Sequence, residues 1–210
     1  MSLCLALMTT VSYAKVETLY IETIEVENFD SQAAIEGDAG EVIAIAKEIV
    51  ALGEQVYTLV QKGKPSNTTS FTPINIVPKD PISKEIVDPL DMENCSFPVQ
   101  KKFATKMMTG GVEVVRFEYM VLYTYNCSYN GTGKYIQNAI VQPVSVKTGY
   151  GWDFNASMKL QGITNHGTKA QPVVGAILTI KYSMNSWRMA FERNDTVHIS
   201  GNGELKIFSN

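Results

Sequence analysis

The residues that most often carry acid–base or metal chemistry are scarce in this chain of 210 amino acids, which has two histidines and three cysteines. His198 alternates with Val197 and Ile199, which predicts a position on the solvent face of a strand. His166 lies in a polar loop beside Gly167 and is the better candidate for a functional histidine. Two isolated histidines cannot close a zinc site without carboxylates from elsewhere, so we expect no metal site and no cofactor.

The sequence contains no motif of a known catalytic class. Phosphate-binding loops of the form G-x-x-x-x-G-K-[ST], dinucleotide fingerprints, the nucleophile elbow G-x-S-x-G and the zinc motif H-E-x-x-H do not occur. The six carboxylates of the C-terminal half show no pairing suggestive of glycoside hydrolysis. They are Glu113, Glu118, Asp153, Glu192, Asp195 and Glu204. Whether the protein is an enzyme is therefore left open, and the sequence leans against it.

Aromatic residues are the most informative feature of the C-terminal half. Tyr150, Trp152 and Phe154 are spaced two residues apart, so on one strand they would share a face. A second stripe consists of Phe117, Tyr119, Tyr123 and Tyr125. A β-sandwich needs such faces for its core, and the alternative is a flat platform on which sugar rings stack. The candidate binding surface is Tyr150, Trp152, His166 and Trp187.

The overall composition is that of a globular protein. Hydrophobic residues make up 45% of the chain and charged residues 19%, with a formal net charge of −3. These values exclude a disordered chain, a coiled-coil rod and a membrane helix bundle, and no run of 18 apolar residues could span a bilayer. The length favours one domain, with enough residues for a hydrophobic core.

Charge is unevenly divided along the chain. Residues 1–98 carry 6 Lys and Arg against 15 Asp and Glu, a net of −9, whereas residues 99–210 carry 12 against 6, a net of +6. Either the acidic part lies beside the basic body, or that body binds an anionic surface. The partners we consider are therefore an envelope glycan or an anionic surface such as phosphate or lipid head groups, and not nucleic acid.

The first fourteen residues have features of an export signal. An apolar run from Leu3 to Val11 is followed by Ser12-Tyr13-Ala14, which places small residues at the −3 and −1 positions of a signal-peptidase site. No Lys or Arg precedes this run, and the alternative is a first strand or helix. We interpret residues 1–14 as a signal-peptide remnant and expect an exported protein, either periplasmic or extracellular.

Removal of residues 1–14 would also remove Cys4 and leave Cys95 and Cys127. An even pair of cysteines in an exported chain predicts a disulfide. It would close a loop of 33 residues, counting both cysteines, and contribute roughly 3–4 kcal/mol through chain entropy. The alternative is two unrelated buried thiols.

Residues 38–62 give the strongest helix signal in the chain. Asp38 and Glu41 have the spacing of a capping box, and Gly63 followed by Pro65 is typical of a helix end. More than half of the helix surface would be apolar, which requires cover by the protein's own sheet, by a second copy of the chain or by lipid. A homo-oligomer or a membrane contact through helix 38–62 is therefore an open alternative.

The rest of the chain divides into a proline-rich connector and a β-rich body. Six of the eight prolines lie in residues 64–98, which predicts an extended segment that runs over the surface and pairs little. From residue 99 onward, short segments of alternating polarity are separated by Gly and Asn turns. This pattern predicts an antiparallel β-sandwich or flattened barrel. The predicted strands span residues 99–108, 112–125, 134–147, 152–160, 173–184, 187–193, 196–200 and 204–208.

The predicted organisation is a single domain in four parts. They are the signal-peptide remnant 1–14, an N-terminal strand and helix at 15–63, the connector at 64–98 and the sandwich body at 99–210. Five short motifs stand out along this order: Val60-Gln-Lys-Gly-Lys-Pro, Phe117-Glu-Tyr-Met-Val-Leu-Tyr-Thr-Tyr, Gly149-Tyr-Gly-Trp-Asp-Phe-Asn-Ala, Thr164-Asn-His-Gly-Thr-Lys and Ile199-Ser-Gly-Asn-Gly-Glu. Over residues 38–206 the chain thereby resembles an uncharacterised family of small exported proteins of Gram-negative bacteria. The resemblance implies a bacterial, exported β protein and supplies no catalytic residues.

Taken together, these features favour a β-sandwich with one long N-terminal amphipathic α-helix packed on it. The function we expect is that of a non-catalytic binding or structural module of the cell envelope or extracellular space. The alternative is a membrane-active, pore-forming-like effector in which helix 38–62 detaches from the sandwich and inserts into lipid. A hydrolase ranks third.

Overall fold

A computed structural model describes residues 20–27, 48–66 and 71–209. These residues form twelve strands and a short 3-10 turn at Pro89–Asp91. The strands are β1 Tyr20–Glu27, β2 Ile49–Leu52, β3 Val56–Gln61, β4 Lys64–Pro65, β5 Ile74–Pro78, β6 Val99–Thr109, β7 Val112–Tyr129, β8 Thr132–Thr148, β9 Asp153–Asn165, β10 Val174–Asn185, β11 Ala190–Ser200 and β12 Leu205–Ser209. The predicted signal peptide 1–14 and the first part of the predicted helix, 38–47, lie outside the described residues.

The strands form two six-stranded antiparallel sheets. The first sheet has the order β1-β6-β7-β8-β5-β2 and the second has the order β12-β11-β10-β9-β3-β4. The two sheets do not join into a closed barrel, and apolar side chains from both fill the space between them. The predicted antiparallel sandwich is therefore confirmed. No helix within the described part of the chain is long and apolar enough to cross a membrane.

Tight turns link the long strands where the sequence predicts them. Asn130 and Gly131 connect β7 to β8 with φ angles of 50° and 68°. Two successive left-handed residues match the right-handed twist of a hairpin, and Asn-Gly adopts this conformation at the lowest cost. The pairing of Tyr129 with Thr132 across this turn begins the ladder between the two longest strands, whose register shifts at four places further along.

Aromatic side chains of β7 form the centre of the core, as the sequence predicts for the stripe that begins at Phe117. Phe117, Tyr119, Val121 and Tyr123 alternate along the strand and are fully buried. Tyr125, the last residue of the stripe, is only partly buried. Because alternate residues of a strand face the same way, this row gives the first sheet one continuous apolar face.

One predicted turn, at residues 194–195, lies instead inside β11, so that a single strand replaces the predicted pair 187–193 and 196–200. Asp195 is fully buried there. Its Oδ2 accepts a hydrogen bond of 3.0 Å from the Tyr182 hydroxyl, and the Arg193 guanidinium lies 3.4 Å from Oδ1. These partners keep a carboxylate inside the sandwich, which composition alone could not predict.

The prediction of a helix at 38–62 is wrong over its described part. Residues 49–52 and 56–61 form β2 and β3, and the burial along β3 alternates as it does in a strand. Gly53 makes the turn between the two strands with φ of 101°, where a Cβ would lie 2.2 Å from the Pro73 carbonyl oxygen. The β-branched residues that made the predicted helix so widely apolar favour strands, and the sheets supply their packing.

The prediction of a weakly paired connector at 64–98 is also wrong for β5. Ile74, Ile76 and Val77 are fully buried, and the strand pairs with both β2 and β8. Its prolines lie at the edges of the strand, Pro73 just before it and Pro78 at its end, so the apolar residues between them keep their hydrogen-bond donors. Residues 79–98 form no further strand and run mostly exposed over the surface, as expected.

Tyr57 of β3 links the two sheets through its hydroxyl. The hydroxyl donates to the Val141 carbonyl oxygen at 3.0 Å and accepts from the Val141 N–H at 2.8 Å. The β5–β8 pairing ends at Ile74 and Ala139, so β5 does not reach Val141 and the tyrosine takes the place of a neighbouring strand. Burial raises the pKa of Tyr57 because the charged phenolate would lose its solvation.

We expect Tyr57→Phe to lower the free energy of unfolding by about 1–3 kcal/mol, because it leaves a buried N–H and C=O of Val141 without a partner. Denaturant unfolding monitored by circular dichroism measures this change. Tyr150→Phe removes a hydroxyl from a fully exposed tyrosine and is the matched control, with an expected change within about 0.5 kcal/mol. Equal stability of the two variants would contradict the role assigned to Tyr57.

A disulfide between Cys95 and Cys127 attaches the connector to β7, which confirms the predicted bridge. The adjacent backbone adds to this attachment, since Glu93 and Ser128 each donate their N–H to the other's carbonyl oxygen at 2.8 Å. The Gln137 amide donates to the Pro89 carbonyl oxygen at 2.6 Å. Together with the hydrogen bond of 2.9 Å from the Ser96 N–H to the Tyr125 carbonyl oxygen, these contacts hold residues 79–98 on the first sheet.

Replacing both bridged cysteines with alanine should lower the free energy of unfolding by about 3 kcal/mol, because the unfolded chain regains the entropy of the closed loop. Denaturant unfolding under non-reducing conditions measures the loss. Cys4→Ser is the control and should leave stability unchanged. A double variant as stable as the parent chain would show that the backbone contacts alone hold the connector.

Candidate functional site

The four residues predicted to form one binding surface lie at opposite ends of the sandwich. Tyr150 and Trp152 precede β9 and Trp187 follows β10, next to the pairing of Asp153 with Asn185. His166 follows the other end of β9. Twelve residue steps of strand separate the two ends, or roughly 40 Å at about 3.3 Å per residue. A single surface made of all four residues is therefore ruled out.

We call the first of these the aromatic end, defined by the β8–β9 connection at 149–152 and the β10–β11 turn at 186–189. Tyr150 is fully exposed and Trp187 is 82% exposed. Trp152 is partly buried and packs against the core, so it supports the connection rather than presenting its ring. Phe154 is fully buried, and the expected stripe of 150, 152 and 154 on one face is not formed because β9 begins only at Asp153.

Exposed cations lie on the elements of the aromatic end. The Arg188 guanidinium lies 3.9 Å from the centre of the Trp187 ring, a cation–π contact. The β3–β4 turn carries Lys62 and Lys64, both exposed, and it is fixed to the start of β9 because Gly63 donates its N–H to the Phe154 carbonyl oxygen at 2.8 Å. Lys147, near the end of β8, is also exposed.

We call the second the histidine end, defined by the β7–β8 turn, the β9–β10 loop at 166–173 and the β11–β12 turn. Here the structure brings together the only two histidines of the chain, which are 32 residues apart in sequence. Their Nε2 atoms lie 3.2 Å apart and their ring centres 5.1 Å apart, with the rings nearly perpendicular at 87°. The Thr164 hydroxyl is 2.9 Å from the Nε2 of His166.

The environment of His198 lowers its pKa. Partial burial is the largest cause, followed by repulsion from His166 and Lys206, and only Glu204 opposes the shift. His198 is therefore held neutral at a pH where an exposed histidine would begin to take up a proton.

The histidine end also contains a cavity of about 930 Å³, in the size range of small-molecule sites. It is lined by Glu48, Ile49, Pro78, Lys79, Asp80, Pro81, Lys84, Tyr129, Asn130, Thr132, Tyr135, Asn165, Lys169 and Pro172. Sequence reasoning did not find it, since these residues come from four separate stretches of the chain. No local spacing signals such a site.

The polar groups of this cavity are engaged in holding loops. The Tyr129 hydroxyl donates to Asp80 at 2.8 Å, and backbone N–H groups of Ser83 and Ile82 donate to the same carboxylate, which lowers the pKa of Asp80. The Asn165 side-chain oxygen accepts from two backbone N–H groups of the β9–β10 loop at 2.8 Å. Because both groups already hold the loops that line the cavity, the cavity ranks below the aromatic end.

No cluster of three or more His, Cys, Asp or Glu side chains that could hold a metal ion is formed within residues 20–27, 48–66 and 71–209. The chain matches no protein-family model, and neither a curated protein nor a solved structure matches it. The resemblance to exported Gram-negative proteins therefore stays a prediction.

The free energy of unfolding of the metal-free protein should fall as the pH is lowered from 7.5 to 5.5. The pKa of His198 is lower in the folded protein than the value near 6.5 in the unfolded chain, so acid protonates the unfolded state first. The contribution of neutral His198 is thus present above about pH 6.5 and is lost as the pH falls toward the folded pKa. Denaturant unfolding at several pH values in the presence of a chelator measures this slope.

His198→Asn should make the slope shallower than in the parent chain, because the titrating group is gone. Carboxylates titrate mainly below this range and contribute little to the comparison. An unchanged slope in the variant would show that His198 is not the source of the pH dependence.

Proposed function

We propose that this protein is an exported, non-catalytic binding module that recognises an acidic glycan of the cell envelope or extracellular space through its aromatic end. The observation that carries the proposal is the exposure of Tyr150 and Trp187 on neighbouring connections of the second sheet. Both side chains are large and have few rotatable bonds, so covering them on binding gains apolar contact at a low cost in conformational entropy.

A rigid support makes this surface suitable for recognition. Both connections leave neighbouring strands at their last paired residues, Asp153 and Asn185. The β10–β11 turn is closed by a hydrogen bond of 2.8 Å from the Ser186 N–H to the Met189 carbonyl oxygen, and Trp152 anchors the β8–β9 connection in the core. Side chains held on such short connections need little ordering when a ligand binds.

The charge of the aromatic end supports an acidic ligand. Lys62, Lys64, Lys147 and Arg188 are exposed on the turns and strand ends at this end of the sandwich, against the exposed acids Glu113, Asp153 and Glu192. Cations beside an aromatic surface attract carboxylate or sulfate groups of a saccharide while its apolar ring faces contact the aromatic rings.

Export is supported by the disulfide and by the sequence signal at 1–14. The Cys95–Cys127 bridge has its Cys127 side in the core, and such structural disulfides persist in oxidising compartments. On the basis of this disulfide and the signal-like segment, we propose a periplasmic or extracellular location.

The membrane-active alternative depends on a helix that the described residues do not form. It required a detachable helix at 38–62, but residues 49–61 belong to β2, β3 and the turn between them. Leu59 and Val60 are fully buried in the sandwich. The same finding removes the described part of the helix through which a homo-oligomer was considered.

Tryptophan fluorescence and calorimetry of the full chain with polygalacturonate, and with neutral dextran as the comparison, test the proposal. We expect saturable binding of the acidic polymer that weakens with salt, and little binding of the neutral one. Trp187→Ala and Tyr150→Ala should each reduce affinity roughly tenfold, which is the range of a binding hot spot. Phe208→Ala, which removes a half-exposed aromatic ring from the edge strand β12, should bind like the parent chain.

Two results would overturn the proposal. Binding that is unaffected by both aromatic variants would place the ligand elsewhere. Flotation of the protein with anionic vesicles, lost in the same two variants and not competed by polygalacturonate, would assign the aromatic end to a lipid surface instead of a glycan.

A further inference from the structure

We propose that His166 and His198 form an open two-histidine site for a divalent transition metal such as Zn²⁺. This departs from the expectation of no metal site, which assumed that the two histidines lie apart. The inference is independent of the glycan proposal, because the two ends of the sandwich share no residue.

The distances between the two rings match those of imidazoles on one metal ion. Two nitrogens bound to a tetrahedral Zn²⁺ at about 2.0–2.1 Å lie roughly 3.3 Å apart, and the ring centres then lie roughly 5.2 Å apart. The observed values are 3.2 Å between the Nε2 atoms and 5.1 Å between the ring centres. A metal ion can thus take the place of the contact between the two nitrogens with little movement of either ring.

Both histidines are held in place by their surroundings. His198 belongs to β11, which is paired on both sides by β10 and β12. The His166 backbone N–H donates to the Val173 carbonyl oxygen at 2.7 Å, and the buried Asn165 side chain closes the same loop. A pair of ligands fixed in this way loses little freedom on binding metal.

Gly175 leaves the space in which these groups meet. A Cβ at this position would lie 2.3 Å from the Thr164 hydroxyl, 2.8 Å from the Nε2 of His198 and 3.0 Å from the Nε2 of His166. Three polar atoms from two strands and a loop therefore converge above one glycine. The hydroxyl and water supply the remaining positions of an open site, since the histidines alone provide two.

The positive charge of Lys206 disfavours metal binding. Removing this charge should therefore raise the affinity for Zn²⁺, which provides a test of the proposal. Lys206 pairs directly with His198 across β11 and β12, and its Nζ lies 3.6 Å from a carboxylate oxygen of Glu204. Its charge repels a dication, whereas Glu204 attracts one. Lys206→Gln should therefore tighten Zn²⁺ binding by roughly twofold to tenfold.

Calorimetry with Zn²⁺ on the full chain, together with proton NMR of the imidazole C–H signals, tests the site. We expect one Zn²⁺ per chain and simultaneous shifts of both histidines, which is readable because the chain has only two. His166→Asn and His198→Asn should each weaken binding roughly tenfold or more. Cys4→Ser is the control for thiol binding and should leave the affinity unchanged.

Gly175→Ala keeps both ligands and pushes them apart, so it should weaken binding in a chain whose circular dichroism is that of the parent. If that variant does not fold, the tighter Zn²⁺ binding expected of Lys206→Gln tests the same site. Binding that persists in both asparagine variants, or is lost in Cys4→Ser, would overturn the proposal. So would the absence of saturable binding at millimolar Zn²⁺.

Discussion

The contact between the two sheets through large aromatic side chains determines where everything else in this protein lies. Phe117 of β7 meets Phe154 of β9 at 5.5 Å and Tyr182 of β10 at 6.1 Å between ring centres, and the latter two rings are 6.2 Å apart. All three are fully buried or nearly so. Rings of this size tolerate few alternative arrangements in a close-packed interior. They therefore fix the distance and register between the sheets, and with them the positions of the loops at both ends.

The polar groups inside the sandwich add specificity to this packing. Tyr57 completes the hydrogen bonding of Val141 where β5 no longer reaches it, and Tyr182 donates to the buried Asp195. Each of these groups would be costly to bury alone, so each is compatible with one alignment of the sheets. Apolar packing thus supplies most of the stability, while the paired polar groups select this register over neighbouring ones. The alignment of the two sheets in turn determines the geometry of the surface loops.

The sequence predicts the C-terminal strands well because period-two alternation and Asn-Gly or Gly-Gly turns are local signals. The predicted strands 112–125 and 134–147 lie inside β7 and β8. The helix prediction fails at residues 49–61 because their apolar residues follow neither the helical period nor the strand period. These residues form strands through long-range pairing with β5 and β9. The sequence places Trp187 in a predicted strand, 187–193, whereas it lies in the turn before β11 with its ring exposed. The meeting of His166 and His198 could not be predicted, because it depends on the register of β9, β10 and β11.

The same strands present two different surfaces at the two ends of the sandwich. At the aromatic end, β9 and β10 finish in short connections that project Tyr150 and Trp187 into solvent. At the other end, the same two strands are joined by a longer loop that folds back over Gly175 and brings a histidine against β11. With roughly 40 Å between them, the two surfaces share no contact through which substitutions would couple directly. The proposed glycan-binding surface and the proposed metal site can therefore coexist on one scaffold, and the rigid core allows substitutions at one end without cost to the other.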